Sequence, residues 1–141
     1  MPDEMKKTEL TICENKLSEL TRLAPWIEDI SEKWELPAPL VFTLNLVLEE
    51  AFTNIVNYAY ADEDKHEIEI QMDLQGNMIS IILTDDGKAF DPTLRKDPDV
   101  TLPAEERDIG GLGIYLIRQM MDHVTYNRQN NKNVLRMSKV F

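Results

Sequence analysis

The sequence predicts an α/β (α+β) fold: a two-layer sandwich in which one mixed, mostly antiparallel sheet carries its helices on one face. Three observations predict it. Segments of alternating polarity and segments of helical apolar spacing follow one another as β-α-α-β-β-α-β-β. Two pairs of strands are joined by short turns rich in Gly and Asn, the mark of antiparallel hairpins. The 141 residues are 43% hydrophobic and show no repeat or change of composition, which suits a single domain over residues 1–141 with one core.

The elements follow in order. Lys7 to Cys13 alternates polar and apolar residues and reads as a strand. Leu20, Leu23, Ile27, Ile30 and Trp34 then mark one apolar stripe at helical spacing. Pro25 lacks an amide hydrogen and suits only a first turn or a kink, so regular helix is expected from near Thr21. Leu36-Pro37-Ala38-Pro39 ends that helix. From Leu40 to Tyr60, Leu44, Val47, Leu48, Ala51, Ile55 and Val56 form a broad buried face, while Glu50, Asn54 and Asn57 line a separate stripe at steps of four and three. His66 to Leu74 and Met78 to Thr84 read as a hairpin around Gln75-Gly76-Asn77, with the second strand central in the sheet. Asp85 to Ile109 has no convincing periodicity and reads as a lid, a binding loop or disorder, the lid reading covering approximately residues 91–110. A helix bearing Ile114, Leu116, Ile117, Met120 and Met121 starts at the glycines that follow. Val124 to Gln129 and Val134 to Phe141 close the chain as two strands around Asn130-Asn131-Lys132.

Composition narrows the function. A net charge of −11 repels nucleic acid and anionic lipid, so neither is an expected partner. No apolar run approaches the ~20 residues of a membrane span, and the first residues lack the apolar core of a signal peptide. The expected location is the cytoplasm. A lone cysteine, Cys13, allows no intrachain disulfide and reads as a small residue at a strand end. His66 and His123 have no Cys or His partner at zinc-ligand spacing. A Gly-x-Ser-x-Gly elbow is absent, so a hydrolase triad has no support.

Three short motifs carry the chemistry. In Glu50-Ala-Phe-Thr-Asn54, a neutral amide oxygen suits a hard cation such as magnesium. The carboxylate one turn earlier can deprotonate or orient a hydroxyl. Glu49 points about 100° away, so the spacing selects Glu50. Taken alone, such a pair is usually a solvated helix face. In Asp85-Asp86-Gly87, followed by Phe90-Asp91-Pro92, a carboxylate at a strand end can accept from the exocyclic amine of adenine, and the glycine lets a base approach the backbone. Asp and Gly are also the commonest residues of a plain turn. Gly110-Gly111-Leu112-Gly113 opens a helix whose amides and dipole suit phosphate oxygens, although in isolation such a stretch is more often a flexible hinge. It is neither a dinucleotide fingerprint nor a Walker loop. Arg95, Lys96 and Arg107 are the cations nearest these motifs in sequence; Arg107 is the first choice for a terminal phosphate, and a solvated lid charge is at least as good a reading.

In this order and on these elements, the motifs resemble the ATP-binding domain shared by gyrase-type and histidine-kinase-type (GHKL) ATPases, and look most like its bacterial anti-sigma serine kinases. Glu50 through Asn54 with Tyr60, Asp85 through Pro92, and Gly110 through Gly113 with Met121-Asp122 and Val124 carry the resemblance, as does Leu17-Ser18-Glu19-Leu20. It covers nearly the whole chain. It implies a Bergerat-type ATP-binding fold that holds ATP with Mg2+. The implied function is to phosphorylate a serine or threonine on an anti-anti-sigma (STAS-type) partner, and to hold a sigma factor when that partner is absent. By the same resemblance Glu50 is the general base, Asn54 the magnesium ligand and Asp85 the adenine acceptor. Asn57, Gly87 and Phe90 belong to the nucleotide site, and Arg107, Gly110, Gly111, Leu112 and Gly113 lie over the phosphates. Dimerisation is common in that branch. Two departures stand out: a longer lid before the glycines, and Lys88-Ala89 where the superfamily often has a second glycine. The other reading is a non-catalytic nucleotide-binding module that works by sequestering a protein.

Overall fold

The computed structural model describes residues 6–62, 64–94 and 111–141. Strand β1 is Lys7–Glu14, followed by a 3-10 turn at Leu17–Glu19 and helices α1, Leu20–Lys33, and α2, Ala38–Tyr58. Strands β2, Glu67–Gln75, and β3, Met78–Asp85, come next, then a 3-10 turn at Pro92–Leu94. Helix α3, Gly111–Met120, and strands β4, His123–Gln129, and β5, Lys132–Val140, complete the order. The sheet runs β1-β2-β3-β5-β4, and β3 is central as expected.

The fold class is the expected one, with one refinement: every pairing among the described strands is antiparallel. The reason is topological. Two helices, not one, separate β1 from β2, so the chain returns in the opposite sense. The single crossover helix α3 does make β4 parallel to β3, but β5 folds back and lies between them. Both hairpins are two-residue turns with backbone to match. Gly76 has φ 61°, and Asn130 and Asn131 have φ 52° and 62°, the primed geometry that suits twisted strands. Lys132 therefore belongs to β5, where it pairs with Gln129.

The core lies between the helices and one face of the sheet. Ile68, Ile70 and Met72, Ile79, Ile81 and Leu83, and Met137 face Leu44, Val47, Leu48 and Phe52 of α2, all buried. Each such side chain contributes roughly 1.5–3 kcal/mol by leaving water. Phe52 is wholly buried although it lies outside the expected face, and Val56 only half-buried. Helix α2 starts two residues early because Pro37 is the extended cap and Pro39 falls in the first turn, where a missing amide hydrogen costs nothing. By length and composition α2 is apolar enough to cross a membrane, closer to a span than the sequence suggested. Here it packs against α1, α3 and β3.

Helix α1 tolerates Pro25 in its second turn rather than its first. It ends in a Schellman turn: the Leu36 amide donates to the Ser31 carbonyl at 2.9 Å and the Glu35 amide to that of Glu32 at 3.2 Å. Glu35 pays for this with φ 54°, a region that favours glycine. Glu35→Gly is expected to stabilise the protein by about 0.5–1 kcal/mol, read as a higher urea midpoint at unchanged slope. A lower midpoint would mean that the glutamate side chain contributes more than its backbone costs. Cys13 is buried, accepts from Arg22 Nη2 at 3.1 Å, and burial pushes its thiol up to about 11, so it stays protonated at neutral pH.

Candidate functional site

Helix α2 serves as a ruler for the site. At its C-terminal end, a Cβ added to Gly87 would stand 2.4 Å from the Ala59 carbonyl oxygen and 2.7 Å from the Ala59 Cβ, so only glycine fits there. The Lys88 amide donates to the same carbonyl at 2.9 Å. Nine residues earlier, a Cβ on Gly113 would stand 2.7 Å from Glu50 Oε2. The loop after β3 and the first turn of α3 therefore both press on α2, about 13 Å apart along its axis at 1.5 Å per residue. Asn54 lies between them.

The pocket between α2 and the sheet is walled by Ala51, Asn54, Ile55 and Ala59 from α2, and by Phe90 and Pro92 from the loop. Asp85, Tyr126, Asn133 and Leu135 wall it from the sheet. Its walls are mostly apolar, and Asp85 is the one carboxylate among them. Asp85 is 5% exposed. Its Oδ1 accepts from the Gly87 amide at 2.9 Å and from Asn133 Nδ2 at 3.0 Å; among the described residues nothing bonds Oδ2. Burial raises the Asp85 carboxyl above the ordinary carboxylate range, against the lowering effect of those two donors. Glu50 is half-buried, and burial, then the charge of Glu49, raises its carboxyl too.

The loop is braced from both sides. The Tyr60 hydroxyl donates to Asp86 Oδ1 at 2.8 Å, and its ring stacks on His66 at 3.9 Å and 11°. Phe90 stacks on Tyr58 at 6.2 Å and 30°. Asp91 accepts from the Thr93 amide at 2.8 Å, which fixes the expected turn, and Arg118 of α3 donates to the Thr93 carbonyl.

The structure thus brings Asn54, Asp85 and Phe90 to one pocket, packs Gly87 beneath it, and sets Glu50 against Gly113. Asn57 shares the stripe of Glu50 and Asn54 but is exposed and does not wall the pocket. Gly111 and Leu112 open α3 as expected. Arg95, Lys96, Arg107 and Gly110 lie outside the described residues.

Residues 13–139 match the family described as histidine kinase-like ATPase domain. The chain belongs to that family. Among the relatives of this ATPase domain, a serine/threonine-protein kinase, BtrW, of Bordetella bronchiseptica is 30% identical over 113 residues, which is 80% of each chain. A serine-protein kinase, RsbW, of Oceanobacillus iheyensis is 36% identical over 102 residues. That alignment covers 68% of this chain and 63% of the relative. RsbW of Bacillus thuringiensis is 35% identical over 65% of this chain and 59% of its own length. The chain thus spans a little under two thirds of the RsbW relatives.

The residues present in this ATPase domain fit the base of a nucleotide: a mostly apolar pocket wall and one buried carboxylate whose Oδ2 is bonded by nothing among the described residues. They also fit a magnesium ion. Among the described residues no cluster of three or more His, Cys, Asp or Glu could hold a metal alone. Asn54, at the pocket wall, offers a neutral amide oxygen of the kind that a hard cation takes. The motifs missed Tyr126, Asn133 and Arg128. Arg128 Nη1 donates to the Gly87 carbonyl at 2.7 Å and to Asn133 Oδ1 at 3.1 Å; the Tyr126 hydroxyl donates to the same oxygen. One signal was available: period-two alternation puts Tyr126, Arg128 and Asn133 on the inward face of their strands. Knowing that Asn133 meets Asp85 further requires the β3–β5 pairing.

Proposed function

We propose that this protein is an ATP- and magnesium-dependent protein kinase that phosphorylates a serine or threonine of an anti-anti-sigma (STAS-type) partner, and that it holds a sigma factor when the partner is absent. One observation carries the reading. Gly87 and Gly113, from the adenine-side and phosphate-side motifs, both press on α2, at Ala59 and at Glu50, with Asn54 between them. The names of the relatives, serine- and serine/threonine-protein kinases, support the transfer reaction; a partner-switching circuit in the cytoplasm goes with this reading.

In this reading Asp85 Oδ2 accepts from the adenine amine, and Phe90 flanks the base. Bound ATP supplies the phosphoryl group and magnesium neutralises its charge. Asn54 holds the ion by its amide oxygen, with Asn57 at the outer rim. Arg107 and Gly110, from the proposed lid over residues 91–110, and Gly111, Leu112 and Gly113 at the start of α3 contact the phosphates. Glu50 takes the proton of the partner's hydroxyl. Its raised carboxyl is the stronger base for that task, and the rest of the catalysis is positioning and charge neutralisation. Leu10 and Ile12, each about half exposed on the edge strand β1, offer an apolar surface for a homodimer.

Calorimetric titration of ATP with and without Mg2+ tests the site. Wild type is expected to bind in the micromolar range only with the ion, and Asn54→Ala to lose at least about tenfold, roughly 1.4 kcal/mol, of that magnesium-dependent affinity. Unchanged binding of magnesium-ATP by Asn54→Ala would remove Asn54 from the metal site. The net charge of −11 favours a second reading, sequestration without transfer. Magnesium-ATP binding with no phosphoryl transfer to a STAS-type protein would select it.

A further inference from the structure

The strongest feature that the three motifs leave unused is the side-chain network behind Asp85. Asn133 is 6% exposed and directly opposite Asp85 in the β3–β5 ladder. Its Nδ2 donates to Asp85 Oδ1 at 3.0 Å and to the Lys88 carbonyl at 2.8 Å. Its Oδ1 accepts from Arg128 Nη1 at 3.1 Å and from the Tyr126 hydroxyl. An amide has two donor hydrogens and two acceptor lone pairs. All four are used within the protein, so Asn133 has no capacity left for a ligand although it lines the pocket. The two donors at Oδ1 also fix which way the amide points: a flip would set two donors against Arg128 and Tyr126.

We propose that Asn133 is a positioning and specificity residue for the base: locked by Tyr126 and Arg128, it holds Asp85 so that Oδ2 presents a lone pair to an exocyclic amine. This rests on the nucleotide reading of the pocket. The physical need is clear. Asp85 is buried, and its donors among the described residues are the Gly87 amide and Asn133. Without Asn133, one of these two is left to hold a buried carboxylate. The charged groups around it are Asp86, which favours protonation, and Arg128, which opposes it. A carboxyl that takes up a proton offers an O–H where the base needs a lone pair, and the preference for an amine is lost. Arg128 also holds the Gly87 carbonyl, so the same lock keeps the loop down on α2.

The test compares ATP with purine riboside triphosphate, which lacks the exocyclic amine, on wild type, Asn133→Ala, Asp85→Asn and the double variant. Wild type is expected to prefer ATP by about tenfold or more, the scale of one hydrogen bond to a charged group. Asn133→Ala should reduce that preference to about twofold or less, and its affinity for ATP should fall on acidification at a higher pH than in wild type. In the Asp85→Asn background, Asn133→Ala should add almost nothing, since it acts through Asp85. An intact ATP preference in Asn133→Ala, or losses that simply add in the double variant, would overturn the proposal. Should Asn133→Ala not fold, Tyr126→Phe removes one strand of the lock and should lower the preference by a smaller factor; an unchanged preference there counts against it. If wild type binds neither triphosphate, the nucleotide reading fails by itself. The lock is then judged by the carboxyl carbon of Asp85 in ligand-free protein, followed by NMR against pH. A higher midpoint in the variant than in wild type supports it, and an unchanged midpoint overturns it.

Discussion

Glu50→Gln is expected to lower phosphoryl transfer by about 10²–10⁴-fold, the usual contribution of a general base, with magnesium-ATP binding kept. The isosteric amide preserves the packing against Gly113 but cannot take a proton. Stability should not fall. Burial holds the Glu50 carboxyl above its ordinary range, so the folded state binds a proton more readily than the unfolded one. Such a group lowers stability as pH rises through its folded midpoint, and at neutral pH glutamine removes that cost. The same shift sets the pH profile of wild type: transfer should rise with pH through a midpoint above the ~4.3 of a free glutamate, and this limb should vanish in the residual activity of Glu50→Gln. Single-turnover transfer to a STAS-type partner, beside calorimetry of ATP, gives both readings. Full transfer by the variant would remove Glu50 from the chemistry.

Gly87→Val is expected to abolish nucleotide binding and to cost about 2–4 kcal/mol of stability, the range for a forced clash in a packed interior. The atom in the way is backbone: the Ala59 carbonyl oxygen, 2.4 Å from the new Cβ. The loop must lift from α2, and with it go the Lys88–Ala59 hydrogen bond, the Gly87 donor to Asp85 and the Arg128 contact to the Gly87 carbonyl. At Gly113 the same construction meets the far end of the Glu50 side chain, which can move. Urea unfolding together with ATP titration decides the matter: a valine variant that binds ATP with wild-type affinity would show that the loop does not depend on this contact.

Much of this was legible in the chain because helices and hairpins are local. The period of 3.6 put Glu50 and Asn54 on one stripe, and Gly76 and Asn130-Asn131 marked both hairpins at the right places. Asn57 shows the limit of periodicity: the stripe continues to it, yet the pocket turns away towards the sheet. Strand order was not legible. Whether β4 or β5 lies beside β3 depends on packing between segments far apart in sequence, and that choice makes the sheet antiparallel throughout. For the same reason the partner of Asp85, 48 residues away, left no trace in any short motif. Phe52 was missed because α2, pressed by α1, α3 and the sheet, is buried over a wider arc than its apolar stripe suggests.

The strand order also dictates when the site exists during synthesis. A chain emerging from the ribosome presents α2, the Asp85 loop and even α3 before the strand that must slip between β3 and β4 has appeared. Until Asn133 is out, Asp85 lacks one of the two donors it has among the described residues, Gly87 lacks its grip from Arg128 as that side chain is held, and β4 has no neighbour to pair with. On the nucleotide reading proposed above, the pocket for the base is therefore unfinished until β5 is in place.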